Sequence, residues 1–463
     1  MATPANLQNI RPISFWHESI ANEFTQRDSI TSDIETDIAI VGAGYSGLWT
    51  AYYLKIMNPK LRIVVVESQS IGFGASGRNG GWCTGFLPVT LSELSNEHGR
   101  QAAIDMYRES FATVNEVERV LFQENIDCDF LKGGTINGAT NVVQQSRVID
   151  EVREFESFGF TESDIRMLSL EESQQRINVN GLITSSFTPH CAAIHPAKLV
   201  VGLAQAVERL GVKIYENSPV RAINKHELLL NHSRVRADVV VRATEGFTSQ
   251  LAKHRRTLVP LYSYMVATEP LSVAQRQEIR WNNRETYHDA RNMIIYVQIT
   301  RDGRVAFGGR GAPYHFASQV KPEYDLDTPI HNRIISSMHE VFPVTREVPV
   351  SHRWGGPLGV PRNWHPSVNY DPKTGMASLG GYVGNGVAST NLAARTLAHL
   401  ITGDNHPLTT LAWVNHPSRR WEIEPIRYIG VNGLLKMSNQ MDRHERSKGT
   451  PDKIRSKILD IFL

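Results

Sequence analysis

Apolar residues fill nearly every position of "DIAIVG", Asp37 to Gly42, the pattern of a short strand covered on both faces. From Ser46 the spacing changes. Leu48, Ala51, Tyr52 and Ile56 recur three and four residues apart, which predicts a helix that Pro59 stops. "RIVVVE", Arg62 to Glu67, is β-branched and almost wholly apolar, and predicts a second buried strand. One β-α-β unit therefore opens the chain. In the middle, "HPAKLVVGLAQAVERLG" from His195 to Gly211 is amphipathic, with Pro196 suited to a first helical turn and Gly211 to a C-terminal cap. The strand "VKIYE" and a third buried strand, "ADVVVRAT" from Ala237 to Thr244, follow it. Residues Leu258 to Arg310 read differently. "LYSYMVAT", "MIIYVQIT" and "RVAFGGR" are short β-rich runs, and the "RDG" turn at Arg301 to Gly303 joins the last two as a hairpin. From Met376 to Gly403 the strand, Gly-rich turn and helix pattern returns. The α/β unit thus leaves and comes back around an inserted β-rich part.

Composition narrows the class without choosing a chemistry. A chain of 463 residues allows two to four domains or one large two-part enzyme. A net charge of +2 gives no argument for nucleic acid. Cys83, Cys128 and Cys191 form no CxxC pair and no even-numbered framework, so neither a disulfide scaffold nor a zinc site is suggested, and no metal is expected. No run approaches the ~18 apolar residues of a membrane span, and the N-terminus offers no leader-like apolar stretch. The expectation is a soluble, cytoplasmic protein.

The first chemistry-bearing motif is "GAGYSG". Gly42 would allow a tight turn, Gly44 a close approach of backbone to a pyrophosphate, and Gly47 close packing of helix on strand. The N–H groups at the start of the helix then face the phosphates. Glu67 ends the second strand 67 − 47 = 20 residues past the last Gly, where a carboxylate can hold a ribose 2′-OH. A dinucleotide is implied, but not which one.

The second motif is "IGFGASGRNGGW", Ile71 to Trp82, a bare backbone around the single cation Arg78. Taken with "DIAIVGAGYSGLWTAYYL", it resembles the N-terminal signature of the FAD-dependent D-amino-acid oxidase/glycine oxidase superfamily. The chain is most similar to its gamma-glutamylputrescine oxidoreductase-like branch. "SFWHES", "YSYMVATEPL", "RWGG" and "GGYVGNGVAST" extend the resemblance over most of the length. It implies an α/β fold: a Rossmann-type FAD-binding domain with an inserted α+β substrate domain on a large mixed or antiparallel sheet. The expected division gives residues 1–90, 195–255 and 375–463 to the FAD-binding domain, and 91–194 and 256–374 to the substrate domain.

The resemblance also implies contacts with FAD. Ser46 and Ser68 accompany Gly42, Gly44, Gly47 and Glu67. Gly74, Ala75, Ser76, Gly77, Asn79, Gly80, Gly81 and Trp82 would wrap the pyrophosphate and reach the flavin ring, with Arg78 complementing phosphate charge or facing solvent. Val220 would bracket the adenine. Thr244 and Gly246 would close over the phosphates, with Glu245 turned away. Gly384, Asn385, Gly386, Val387 and Ala388 would bring a helix N-terminus to the flavin. Relatives that attach FAD covalently use a late Cys or a His in the glycine-rich loop. This chain has neither, so FAD is expected to be non-covalent.

The substrate side is thinner. If the Trp354 register holds, Leu358 stands where amino-acid-binding members carry a carboxylate-clamping Arg. This favours an amine over a simple α-amino acid, although Arg353 or Arg310 could supply a clamp from elsewhere. Tyr262, Tyr264, Tyr296, Trp354 and Tyr382 are candidates for an aromatic catalytic slot, though aromatics in strands more often pack a core. His288 and His352 could titrate near neutrality. The expected activity is oxidation of a C–N bond by hydride transfer to flavin N5, with O2 or another acceptor completing the cycle. Other flavin chemistry, such as hydroxylation or amino-acid dehydrogenation, and a non-catalytic FAD-bearing subunit remain the alternatives. A homo-oligomer is compatible with all of these, and the amphipathic C-terminal tail is expected to pack on the body or on another subunit, with a membrane surface as the alternative.

Overall fold

The computed structural model describes residues 13–309 and 313–462. Residues 1–12, read above for a leader, and Arg310 lie outside them. Five parallel strands form the centre of the first sheet. In spatial order they are Met376–Gly380, Arg234–Arg242, Ile34–Val41, Ile63–Val66 and Lys213–Tyr215. Ile38 is opposite both Val239 and Ile63, and Ile40 and Val65 are fully buried. Burial on both faces is why these runs lack the alternation of a half-exposed strand.

Helix Tyr45–Met57 lies between helices Pro196–Arg209 and Gly386–Thr402. Covered from several sides, it buries eleven consecutive residues, Tyr45 to Lys55. Helix Pro196–Arg209 starts as its sequence suggests: the His195 side chain accepts from Lys198 N–H, and Pro196 occupies the first turn. Gly211 follows with φ +87°.

The second sheet runs Val350–Val360, Val259–Thr268, Val305–Gly309, Ile295–Ile299, Thr286–Asp289, Thr135–Ala139, Thr184–Thr188, Arg166–Leu168. Its pairs are antiparallel except Thr286–Asp289 with Thr135–Ala139, so the sheet is mixed. The hairpin at Arg301–Gly303 forms as expected, with Ile299 opposite Val305. The fold is the α/β arrangement read from the sequence, with two large sheets.

Two segments cross the expected division. Strand Ser367–Asp371 pairs antiparallel with Met376–Gly380 and so edges the first sheet, because the tight turn between them leaves no room to cross over. Helix Arg100–Gln123 packs on Gly386–Thr402 and buries Val114, Val117 and Val120 in the larger core, as its apolar stripe demands. Helix Ile426–Lys448, which a further helix Lys453–Phe462 follows, docks on the body. Asp442 accepts from the N–H groups of Asn292 and Met293, and the buried Glu445 pairs with Arg147 at 2.5 Å. No helix among the described residues is long and apolar enough to cross a membrane.

Candidate functional site

The glycines of "GAGYSG" sit where side chains would collide. Gly42 has φ +109°, and a Cβ there would stand 2.5 Å from Ala243 O. A Cβ on Gly47 would run into Gly42 O, so helix and strand meet at backbone distance. Gly44 is the N-cap of helix Tyr45–Met57 and brings no capping side chain. Tyr45 N–H instead donates to Ser76 Oγ at 2.9 Å, which docks the second Gly-rich loop on this helix end. Glu67 accepts from Ala43 N–H at 2.8 Å and from Gln69 N–H and Ser68 Oγ, and burial pushes its pKa up. Val220 packs against the small cluster containing Val41, Val64 and Val66. Thr244 Oγ1 lies 2.8 Å from Thr248 Oγ1, and a Cβ on Gly246 would stand 2.7 Å from Pro357 O. Glu245 points away from this loop, as expected. It accepts from Gly381 N–H at 2.9 Å, and burial raises its pKa to about 7.

The loop from Ile71 to Trp82 is held from several directions. Asn79 donates to Ala75 O and Ser76 O and accepts from Gly81 N–H. Trp16 Nε1 donates to Asn79 O, Ser14 Oγ to Gly77 O, and Trp354 Nε1 to Arg78 O. Gln298, on the second sheet, donates to Gly80 O at 2.8 Å. Arg78 is buried rather than solvent-facing, and its charge is met within the chain. Its side chain is 3% exposed, pairs with Asp325 at 2.7 Å, donates to Phe73 O and Gly355 O, and lies over the Phe73 ring. A buried guanidinium must be paired, and a carboxylate of this chain meets that need first.

Beyond this loop opens a cavity of about 330 Å3. Ala75, Arg78, Asn79, Gly80 and Trp82 form one wall, and Gly384, Asn385 and Val387 another. Asn385 is the N-cap of helix Gly386–Thr402, and its side chain makes no capping bond, so the helix end reaches the cavity uncapped. Ala388, the next residue, is buried behind this helix start. The second sheet contributes Thr135, Asn137, Ser186, Ser263, His288 and Tyr296, with Glu151 from helix Val142–Ser157. Trp82 Nε1, Asn137 Oδ1 and Trp364 Nε1 line it without a hydrogen-bond partner. A second, largely apolar chamber of about 460 Å3 adjoins it under helix Ile426–Lys448, and Ser263, Leu358, Trp364 and Val383 line both.

The five aromatic candidates separate. Tyr296 lines the cavity, with its OH 2.7 Å from Ser263 Oγ. Tyr262 and Tyr264 flank Ser263 on one strand and so face the opposite side of the sheet. Tyr264 OH donates to Tyr324 O, and Tyr262 lines the second chamber. Trp354 is buried against Trp16 and anchors Arg78 O. Tyr382 is buried, and its OH accepts from Ser46 Oγ at 3.2 Å. Tyr264, Trp354 and Tyr382 are therefore supports rather than cavity walls. Leu358 lines the cavity at the position read from the Trp354 register, whereas Arg353 is exposed and His352 sits near Glu18. Among the described residues lining this cavity the one arginine is Arg78, which is engaged.

Glu151 and Asn137 escaped sequence reading. Asn137 Nδ2 donates to Glu151 Oε2 at 2.8 Å. Burial pushes the Glu151 carboxyl up, and no arginine or lysine pairs with it among the described residues. Only its place on an amphipathic helix hinted at this, and helices bear many such acids.

The residues fit an FAD. Neither N-cap residue, Gly44 or Asn385, caps its helix with its own side chain, Gly42, Gly47 and Gly77 leave no room for a Cβ, and an acid stands at the end of the second strand. Comparison with known proteins gives the class. Residues 37–400 match the FAD dependent oxidoreductase (DAO) family, and the chain belongs to it. Within that family it is 27% identical over 423 residues to a probable oxidoreductase, OrdL, of Haemophilus influenzae, covering 88% of this chain and 91% of the relative. It is 26% identical over 412 residues to the gamma-glutamylputrescine oxidoreductase of Escherichia coli, covering 87% and 92%. Among solved structures, glycine oxidase from Geobacillus kaustophilus superposes with a TM-score of 0.70 at 16% identity, over 83% of this chain and all of that one.

Proposed function

We propose that this FAD-dependent oxidoreductase oxidises a C–N bond of an amine that bears a second cationic group, and that Glu151 pairs with that group. The observation that carries the reading is the carboxylate of Glu151 in a cavity whose one arginine among the described residues is already neutralised. A carboxylate-bearing substrate would meet Glu151 unfavourably and find no unpaired guanidinium among the described residues lining the cavity. An ammonium group would relieve the unpaired charge. The similarity to a gamma-glutamylputrescine oxidoreductase and to a glycine oxidase supports C–N chemistry.

On this reading the helix start at Gly44 and the loop Gly74–Gly77 hold the pyrophosphate, Glu67 the ribose, and Thr244 and Gly246 flank the phosphates. The start of helix Gly386–Thr402 faces the flavin, where its N–H groups favour negative charge. When bound, FAD non-covalently supplies the two-electron acceptor that takes hydride from the carbon bearing nitrogen, leaving an imine for water to hydrolyse. This chain's residues position and desolvate. Trp82, Tyr296 and Trp364 surround the reacting end with aromatic surface, which favours the neutral amine that oxidation requires. Glu151 holds the distal cation and so fixes which carbon is presented. The adjoining apolar chamber gives room for a hydrocarbon substituent. The first sheet then serves the cofactor and the second the substrate.

Anaerobic mixing with diamines, monoamines and amino acids tests this by bleaching of the flavin absorbance. Diamines should reduce it at the lowest concentrations, and faster reduction by amino acids would overturn the reading. Admission of oxygen afterwards distinguishes an oxidase, which recolours with peroxide, from a dehydrogenase.

A further inference from the structure

Away from the cavity, four ligand-type side chains from three chain segments converge. Glu97 and His98 end helix Leu91–His98, His365 precedes strand Ser367–Asp371, and His416 follows the loop that pairs with that strand. One ligand atom from each lies within 4.8 Å of all the others. Glu97 Oε2 is 3.4 Å from His365 Nδ1, 3.7 Å from His98 Nε2 and 3.9 Å from His416 Nε2. A tetrahedral ion with ligand bonds of about 2.0–2.1 Å separates its ligands by about 3.3–3.4 Å. The Glu97–His365 spacing matches that edge, and the remaining spacings, up to 4.8 Å, must contract by side-chain rotation to reach it.

The frame around them is rigid. Val368 N–H donates to Trp413 O and Asn415 N–H to Val368 O, which sets His365 and His416 side by side. Helix Leu91–His98 carries a capping box at Thr90 and Glu93, and ends at Gly99 with φ +87°. His416 Nδ1 is buried with no hydrogen-bond partner. We propose that Glu97, His98, His365 and His416 form a binding site for one divalent zinc-type cation that staples these three segments together. Three imidazoles and a carboxylate are a borderline donor set of the kind Zn2+ takes. His365 and His416 rings are stacked, and Asn363 Nδ2 lies 2.8 Å from His416 Nε2. Binding therefore requires one ring to turn and Asn363 to yield. The site leaves no zinc spacing in the sequence, because its ligands are one Glu and three His residues in distant segments rather than paired cysteines.

The test uses the full-length, FAD-loaded protein, stripped with a chelator and titrated with Zn2+ against a chromophoric chelator. One tight site per chain is expected. H365N/H416N should weaken it at least tenfold while flavin absorbance is retained. E97Q, a change at the exposed rim that keeps the fold, should weaken it measurably. Asn363→Ala, which removes the competing amide, should bind no more weakly than the wild type. Absence of stoichiometric binding to the wild type, or equal affinity in H365N/H416N, would overturn the proposal. The readout is metal occupancy, so it stands apart from amine oxidation.

Discussion

Replacing Glu151 by Gln removes one charge and little volume. Asn137 Nδ2 can still donate to the retained oxygen, so the wall keeps its shape. What is lost is the pairing with a substrate cation. Two unit charges about 4 Å apart interact by about 4 kcal/mol at an effective dielectric of 20. Desolvation of both offsets part of that, and charged hydrogen bonds typically contribute about 1.5–3 kcal/mol net. At 1.36 kcal/mol per decade this is a loss of about 10- to 150-fold in kcat/KM for a diamine. A monoamine of the same length carries no second charge and should change by less than about twofold. Stopped-flow flavin reduction under anaerobic conditions measures both. The pH dependence has a definite sign. Burial raises the Glu151 pKa, and the ionised form binds the cation, so the wild-type kcat/KM for diamines should fall as pH drops through a value above the usual carboxylate range. The E151Q profile should lack that limb. An equal loss for diamines and monoamines, or none for either, would refute the assignment.

Gly47→Ala should expel FAD and lower stability by about 1–3 kcal/mol, because the added methyl meets Gly42 O; the ratio of flavin to protein absorbance and a thermal melt check it. Gly430→Ala is the matched control, since that helical glycine has open space around it and the change should stabilise by up to about 1 kcal/mol. Asp325→Asn should cost about 3 kcal/mol, the low end for breaking a buried pair because Asp325 keeps some solvent, and a Tm within a degree of wild type would contradict it. Glu245 keeps its proton up to about pH 7 when folded but ionises from about 4.5 when unfolded, so it costs stability progressively as pH rises from about 4.5 to 7, by about 3 kcal/mol at most. Glu245→Gln should flatten the decline of Tm across that window.

What was legible in the sequence follows from how locally each feature is determined. The β-α-β start, the hairpin at Arg301 and the helix at His195 are set by neighbours a few residues apart, and they form where expected. Arg78 shows the opposite case. Its loop invites an anion, but Asp325 is 247 residues away and lies in a stretch with no motif. The helices Arg100–Gln123 and Val142–Ser157 carry no glycine-rich punctuation to mark them, and only their apolar stripes distinguish them in the sequence.

The substrate wall was the least legible part for a geometric reason. Tyr262 and Tyr264 are conspicuous and Ser263 is not, yet the pleat sends only Ser263 to the cavity, where it meets Tyr296 OH. Choosing a face needed the register with Gly356 and Pro357 opposite, which depends on a strand almost a hundred residues away. On the proposed reading, specificity is carried by small polar residues and one acid between the aromatics rather than by the aromatics themselves. It follows that Ser263→Ala should slow flavin reduction by the substrate more than Tyr264→Phe, since the first removes the partner of Tyr296 OH at the cavity and the second only a bond to Tyr324 O behind the sheet. Flavin-reduction rates in the reverse order would mean that the cavity described here is not where the amine reacts.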